Sequence, residues 1–369
     1  MSPQGARQAV RSTLDPLSSP GPAAPPHRYA SLRLWALLTI AAVAVVGLVY
    51  GAKSGGRRTP HETSTGTAPA PQRTPTAPPR PVARATLVAR ADGRLPAAVQ
   101  APAAAPLPDG RVLLMGGLDA SSVSTAGVEL AGAERPRTAG ALPAPVHDAA
   151  AAPAPGGAYF FGGGEPSQDA ILRVSESGRA TRAGRLPAPA SDVAAATLGG
   201  RYYVVGGYTG TVPLATIVEW RPGQAKGRVV ARLPVAVRYA AVAPVGGEIV
   251  IAGGSVGTGA SRGVYAFDPA RRSVRSLARL PHPLTHASAA TLGGIMYVVG
   301  GRGAVQGSQT RRILAIDPRT GSVRNAGVLP RGLSDAGAAA PPGKGIVIAG
   351  GRDSSGQVRR DVLLLEPRP

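Results

Sequence analysis

Five dipeptides carry much of the ionisable chemistry in the C-terminal part of this chain. They are His147-Asp148, Ser191-Asp192, Arg238-Tyr239, Thr285-His286 and Ser334-Asp335. Their second members lie 44, 47, 47 and 49 residues apart, and Gln100 stands one such step earlier. A second series, Asp119, Glu165, Tyr208, Arg302 and Arg352, follows the same rhythm. Carboxylates, imidazoles, guanidinium groups and phenols brought to one place could hold a polar ligand or exchange protons with it. The candidate ligand-binding residues are therefore His147, Asp148, Asp192, Arg238, Tyr239, His286, Arg302 and Asp335. An Asp or Ser just after a turn can also serve only to bond nearby backbone N–H groups, so the case rests on their convergence.

No metal or cofactor is expected beside them. The chain has no cysteine, which removes disulfides, thiolate ligands and a cysteine nucleophile. His147, His282 and His286 are the histidines of this region. His282 and His286 share a loop, but no acid between them completes a zinc motif.

What positions these residues is a repeat. Six apolar runs end in paired glycine: Leu113 to Gly117, Tyr159 to Gly163, Tyr202 to Gly207, Val250 to Gly254, Tyr297 to Gly301 and Val347 to Gly351. Successive pairs lie 46, 44, 47, 47 and 50 residues apart. That near-constant period fits four short strands per repeat. Leu-Pro recurs in phase at 95–96, 142–143, 186–187, 233–234, 280–281 and 329–330. The repeat after Leu186-Pro187 predicts strands over 192–198, 201–205, 216–220 and 228–232, with Gly199-Gly200 and Pro222-Gly223 as turns. First strands are alanine-rich, as the crowded axis of a propeller requires. Second strands are continuous apolar runs, suited to burial on both faces. The last repeat lacks a fourth strand, and residues 85–89 could supply it, closing the sheet edge.

These markers resemble kelch repeats over about residues 84–369. The resemblance implies an all-β fold, a six-bladed kelch-type β-propeller, with both residue series at one mouth of its axis. A departure is the fourth-strand tryptophan of many kelch repeats, replaced here by Val274 and Val323. Copper oxidases of the galactose oxidase type share kelch blades, but their cofactor needs a cysteine-linked tyrosine. Six-bladed sialic-acid mutarotases resemble this chain in needing only acid/base groups. A protein- or glycan-binding module and a carbohydrate-active enzyme of the epimerase or mutarotase type thus both stay open.

The preceding residues differ in kind. Residues 1–33, rich in Pro, Ser, Ala and Gly, are expected to be disordered. Leu34 to Ala52 carries no charge, and at about 1.5 Å per residue could cross a hydrocarbon core about 30 Å thick. A single-pass transmembrane helix is expected there, with a cleaved signal peptide as the competing reading. Residues 53–83, rich in Pro and Thr, form an extended linker. Arg28 and Arg33 on one side nearly balance Lys53, Arg57 and Arg58 on the other. A short head and a large folded tail favour an inside N-terminus, placing the propeller outside the cytoplasm at the cell membrane. The net charge of +21, almost all arginine, admits an acidic partner. No arginine cluster interleaves with aromatics, so nucleic acid is not expected as one.

Overall fold

The computed structural model describes residues 85–132 and 135–368. The expected head, membrane span and linker, residues 1–33, 34–52 and 53–83, lie outside the described residues. Among the described residues, no helix is long and apolar enough to cross a membrane.

Antiparallel four-strand units follow one another along the chain. The first joins Ala103–Pro106, Val112–Met115, Gly127–Ala131 and Arg137–Ala141. The second joins Ala150–Ala154, Gly157–Phe161, Ala170–Ser175 and Ala180–Arg185. The third joins Ala194–Leu198, Arg201–Val205, Thr216–Trp220 and Arg228–Arg232, matching the expected strands except that the first starts two residues late. In the next sheet Ala241–Val245, Glu248–Ala252, Gly259–Asp268 and Ser273–Leu284 pair in sequence, and a short Ser255–Val256 strand folds back on the third. A two-stranded ladder joins Leu333–Ser334 to Arg352–Asp353, and a further sheet has eight strands. One half is Ser288–Leu292, Ile295–Val299, Arg312–Asp317 and Ser322–Val328. The other half is Gly337–Ala339, Ile346–Ala349, Asp361–Pro367 and Leu87–Arg94. A single parallel pairing, Leu87 with Gly327, links the halves.

Leu87–Arg94 runs antiparallel to Asp361–Pro367, from Leu87 opposite Pro367 to Arg94 opposite Asp361. The first described strand thus covers the outer edge of Asp361–Pro367. The first strands of successive units touch one another, and Gly337–Ala339 reaches back to Ala103–Pro106. The architecture is an all-β propeller.

The core lies between units, not within them. Phe161 and Ile171 of the second unit pack with Tyr202, Val218 and Trp220 of the third. Tyr203 and Ile217 of the third pack with Ile249, Ile251 and Phe267 of the next. Leu87 meets Tyr297, Ile313 and Leu329 across the seam. Side chains of this size stabilise by roughly 1.5–3 kcal/mol each when fully buried, so most of the cohesion comes from one unit leaning on the next.

The glycine pairs are needed for that approach. Gly206 has a φ of +63°, and a Cβ there would lie 2.3 Å from the Val237 carbonyl oxygen. Gly207 then donates its N–H to that same carbonyl at 2.9 Å. The pair thereby ties each second strand to the loop that enters the following unit.

Candidate functional site

Those loops carry the dipeptides. In four of the five, the first member pairs with the residue that follows a glycine pair: Ser191 with Tyr208, Arg238 with Ser255, Thr285 with Arg302, and Ser334 with Arg352. The second member then turns inward in a left-handed conformation. Asp148, Asp192, Tyr239, His286 and Asp335 have φ between 54° and 57°, or 53° for Tyr239. Non-glycine residues adopt such angles rarely, and clusters of them mark functional sites. The sixth equivalent is Ala101 at 51°, not Gln100 as the spacing suggested. Gln100 is buried and pairs with Leu118.

The inward residues are chained by their backbones. Asp192 N–H donates to Asp148 C=O at 2.8 Å, Tyr239 to Asp192 at 3.0 Å, and His286 to Tyr239 at 3.2 Å. Asp335 donates to His286 at 3.0 Å, and Ala101 to Asp335 at 2.7 Å. The result is a belt around the axis in which backbone is constant and side chain varies. It encloses a small cavity of about 120 Å³ lined by all six residues.

Three carboxyl groups around one small cavity cannot all ionise freely. Burial, with the neighbouring Asp192 and Asp335 carboxyls, pushes Asp148 up to about 8. Burial likewise lifts Asp335 to about 6, although Ser334 Oγ donates to it at 2.6 Å. The Tyr239 hydroxyl donates to Asp148 Oδ2 at 3.1 Å, and burial beside that carboxyl raises the phenol further. Asp192 is held by the Arg238 guanidinium through Nε. Burial works against the Arg238 charge, but Asp192 outweighs it and raises its pKa.

His286 is the neutral member. Burial, then the Arg302 and Arg238 charges, lower it to about 3. Its ring stacks on Tyr239 with centroids 3.8 Å apart, and its Nδ1 lies 3.0 Å from Thr285 Oγ1.

A larger cavity of about 480 Å³ opens beside the belt. His147, Glu165, Ser167, Tyr208 and Arg238 line it, together with Asp148, Asp192 and Tyr239. Arg238 lies over the Tyr208 ring at 4.1 Å, within range of a cation–π contact. His147 Nδ1 lies 2.8 Å from Ser124 Oγ. Of the candidate residues, the structure thus gathers Asp148, Asp192, Tyr239, His286 and Asp335 at the axis. His147 and Arg238 stand on the adjoining wall, and Arg302 reaches the belt from outside through His286. Asp119 belongs to neither: its Oδ1 accepts from Ser121 and Val123 N–H, holding its own loop. Ser255, which the spacing passed over, bonds Thr285 Oγ1 through its hydroxyl at 2.7 Å. Its place directly after Gly253-Gly254 was the available signal. Among the described residues, no group of three His, Asp or Glu side chains could hold a metal ion.

A belt of this kind, on strands repeating every 44 to 50 residues, defines a class. Residues 236–281 and 283–327 match the kelch motif, so kelch repeats sit within this β-propeller. The solved structure of YjhT resembles it in fold, with a TM-score of 0.64 at 15% identity over 74% of this chain and 99% of that one. No curated protein matches the chain.

Proposed function

We propose that this chain is a membrane-anchored, six-bladed propeller that binds a ligand, protein or glycan, at the mouth formed by the belt. The eight-stranded sheet is read as two blades joined by the Leu87–Gly327 pairing. Leu34 to Ala52 serves as the anchor, and the linker carries the propeller outside the cytoplasm. The observation that carries the binding reading is the belt itself. Six positions share one strained backbone conformation, yet their side chains are Ala, Asp, Asp, Tyr, His and Asp. A scaffold alone has no use for that variety, and the adjoining cavity offers Tyr208, Arg238 and Ser167 to a polar ligand. A thermal-shift screen of the full chain against sugars, acidic glycans and peptides tests this. A true ligand raises the unfolding midpoint, and Asp148→Asn or Tyr208→Ala should reduce the rise. A rise unaffected by both substitutions places binding elsewhere.

One observation favours a second reading, a carbohydrate-active enzyme of the epimerase or mutarotase type. Asp148 keeps its proton near neutral pH while Asp192, on the same cavity, is ion-paired with Arg238, so an acid and a carboxylate face one cavity. Exchange of sugar anomers or epimers, followed by NMR with purified protein, decides it. No exchange above the buffer rate returns the site to binding alone.

A further inference from the structure

A third cavity, of about 520 Å³, lies outside the belt, between the end of the Ser273–Leu284 strand and the turn that follows Gly300. Arg302, Arg311, Arg312 and His282 line it, and no carboxylate does. Its other wall is apolar, made of Pro281, Pro283, Leu284 and Leu314. Arg311 is fastened from behind, its Nε donating to the Leu329 carbonyl at 2.7 Å, which leaves the terminal amino groups for other partners. Arg302 is fastened through Nη1 to the Gly303 and Ala304 carbonyls. Its Nε, and Oε1 of Gln309 in the same lining, are buried without a partner among the described residues. A buried donor left open beside the cavity is costly unless something pairs with it.

We infer that this groove binds a small organic acid. Its oxyanion meets the planar guanidinium groups, which suit bidentate contact, and its body lies on the proline and leucine wall. The site does not depend on the function proposed for the mouth.

Titration calorimetry of the full chain with benzoate, acetate and inorganic phosphate tests the inference. Benzoate should bind at least threefold more tightly than acetate or phosphate, because only benzoate uses the apolar wall. The double variant Arg311→Gln/Arg312→Gln should weaken benzoate at least tenfold. Arg137→Gln/Arg232→Gln removes the same charge from exposed strand positions and should leave binding unchanged. Arg312→Gln alone, at an exposed position, should weaken it several-fold without altering the thermal midpoint. Equal weakening by both double variants would assign binding to net charge and overturn the site. No benzoate binding, or binding no tighter than acetate or phosphate, overturns the organic-acid assignment.

Discussion

Arg302 donates a hydrogen bond to His286: Nη2 lies 3.2 Å from Nε2. A guanidinium nitrogen can only donate, so Nε2 accepts and the ring proton resides on Nδ1, facing Thr285 Oγ1 at 3.0 Å. The tautomer is thus set from outside the belt. From His286 the contacts continue through the stacked Tyr239 to Asp148, whose Oδ2 accepts the phenol proton. A continuous line of contacts thus runs from one arginine beyond the axis to the most perturbed carboxyl at the axis.

Removing that donor should free the imidazole in part. In Arg302→Met, the His286 pKa should climb from about 3, although burial continues to hold it below the usual value. NMR titration of the His286 ring reads this directly. An unmoved titration would mean that burial and the Arg238 charge set it without Arg302.

Asp148 makes stability depend on pH in a direction unusual for a carboxylate. Folded, it keeps its proton to about 8; unfolded, it ionises near 4. The folded chain therefore holds the extra proton across that window, and stability falls as pH rises through it. Asp335 acts in the same sense up to about 6. His286 opposes them below about 6.5, because only the unfolded chain accepts its proton there. Asp148→Asn removes the strongest of these three effects. Its thermal midpoint should exceed that of the native chain at pH 9, with the gap closing toward pH 4.

Arg238 and Asp192 form the ion pair of the belt, with the Asp192 side chain 3% exposed. Truncating the arginine leaves that carboxylate buried and uncompensated, which costs about 3–5 kcal/mol. Arg238→Ala should lower stability by that amount in urea unfolding. Asp192→Asn in the same background should recover part of it, giving a clear coupling in the double-mutant cycle.

The seam and the glycine pairs offer two further tests. Leu87 is 2% exposed and packs across the seam, so Leu87→Ala should cost about 2–5 kcal/mol and promote association through the loosened edge. Gly206→Ala must place a methyl 2.3 Å from the Val237 carbonyl at a φ of +63°. A loss of about 2–4 kcal/mol is expected, whereas Gly199→Ala, with nothing within 4 Å of its Cβ, should lose less by the same assay.

The repeat could be read from the sequence because each of its markers is local. Gly-Gly, Leu-Pro, the alanine strands and the apolar runs act through φ, ring closure, side-chain size and strand period, which depend on a few neighbouring residues. The dipeptide series was visible for the same reason, being phased to those markers. Which member turns to the axis was not: Ala101, and not Gln100, takes the left-handed backbone angle of the belt. Nor were the proton positions. Asp148 and Asp192 are the same residue in the same repeat position, yet one is paired with a phenol and the other with Arg238. That difference comes from side chains 91 and 46 residues away along the chain. Burial and the charges of distant neighbours set ionisation, and both come into being only when the blades lean together.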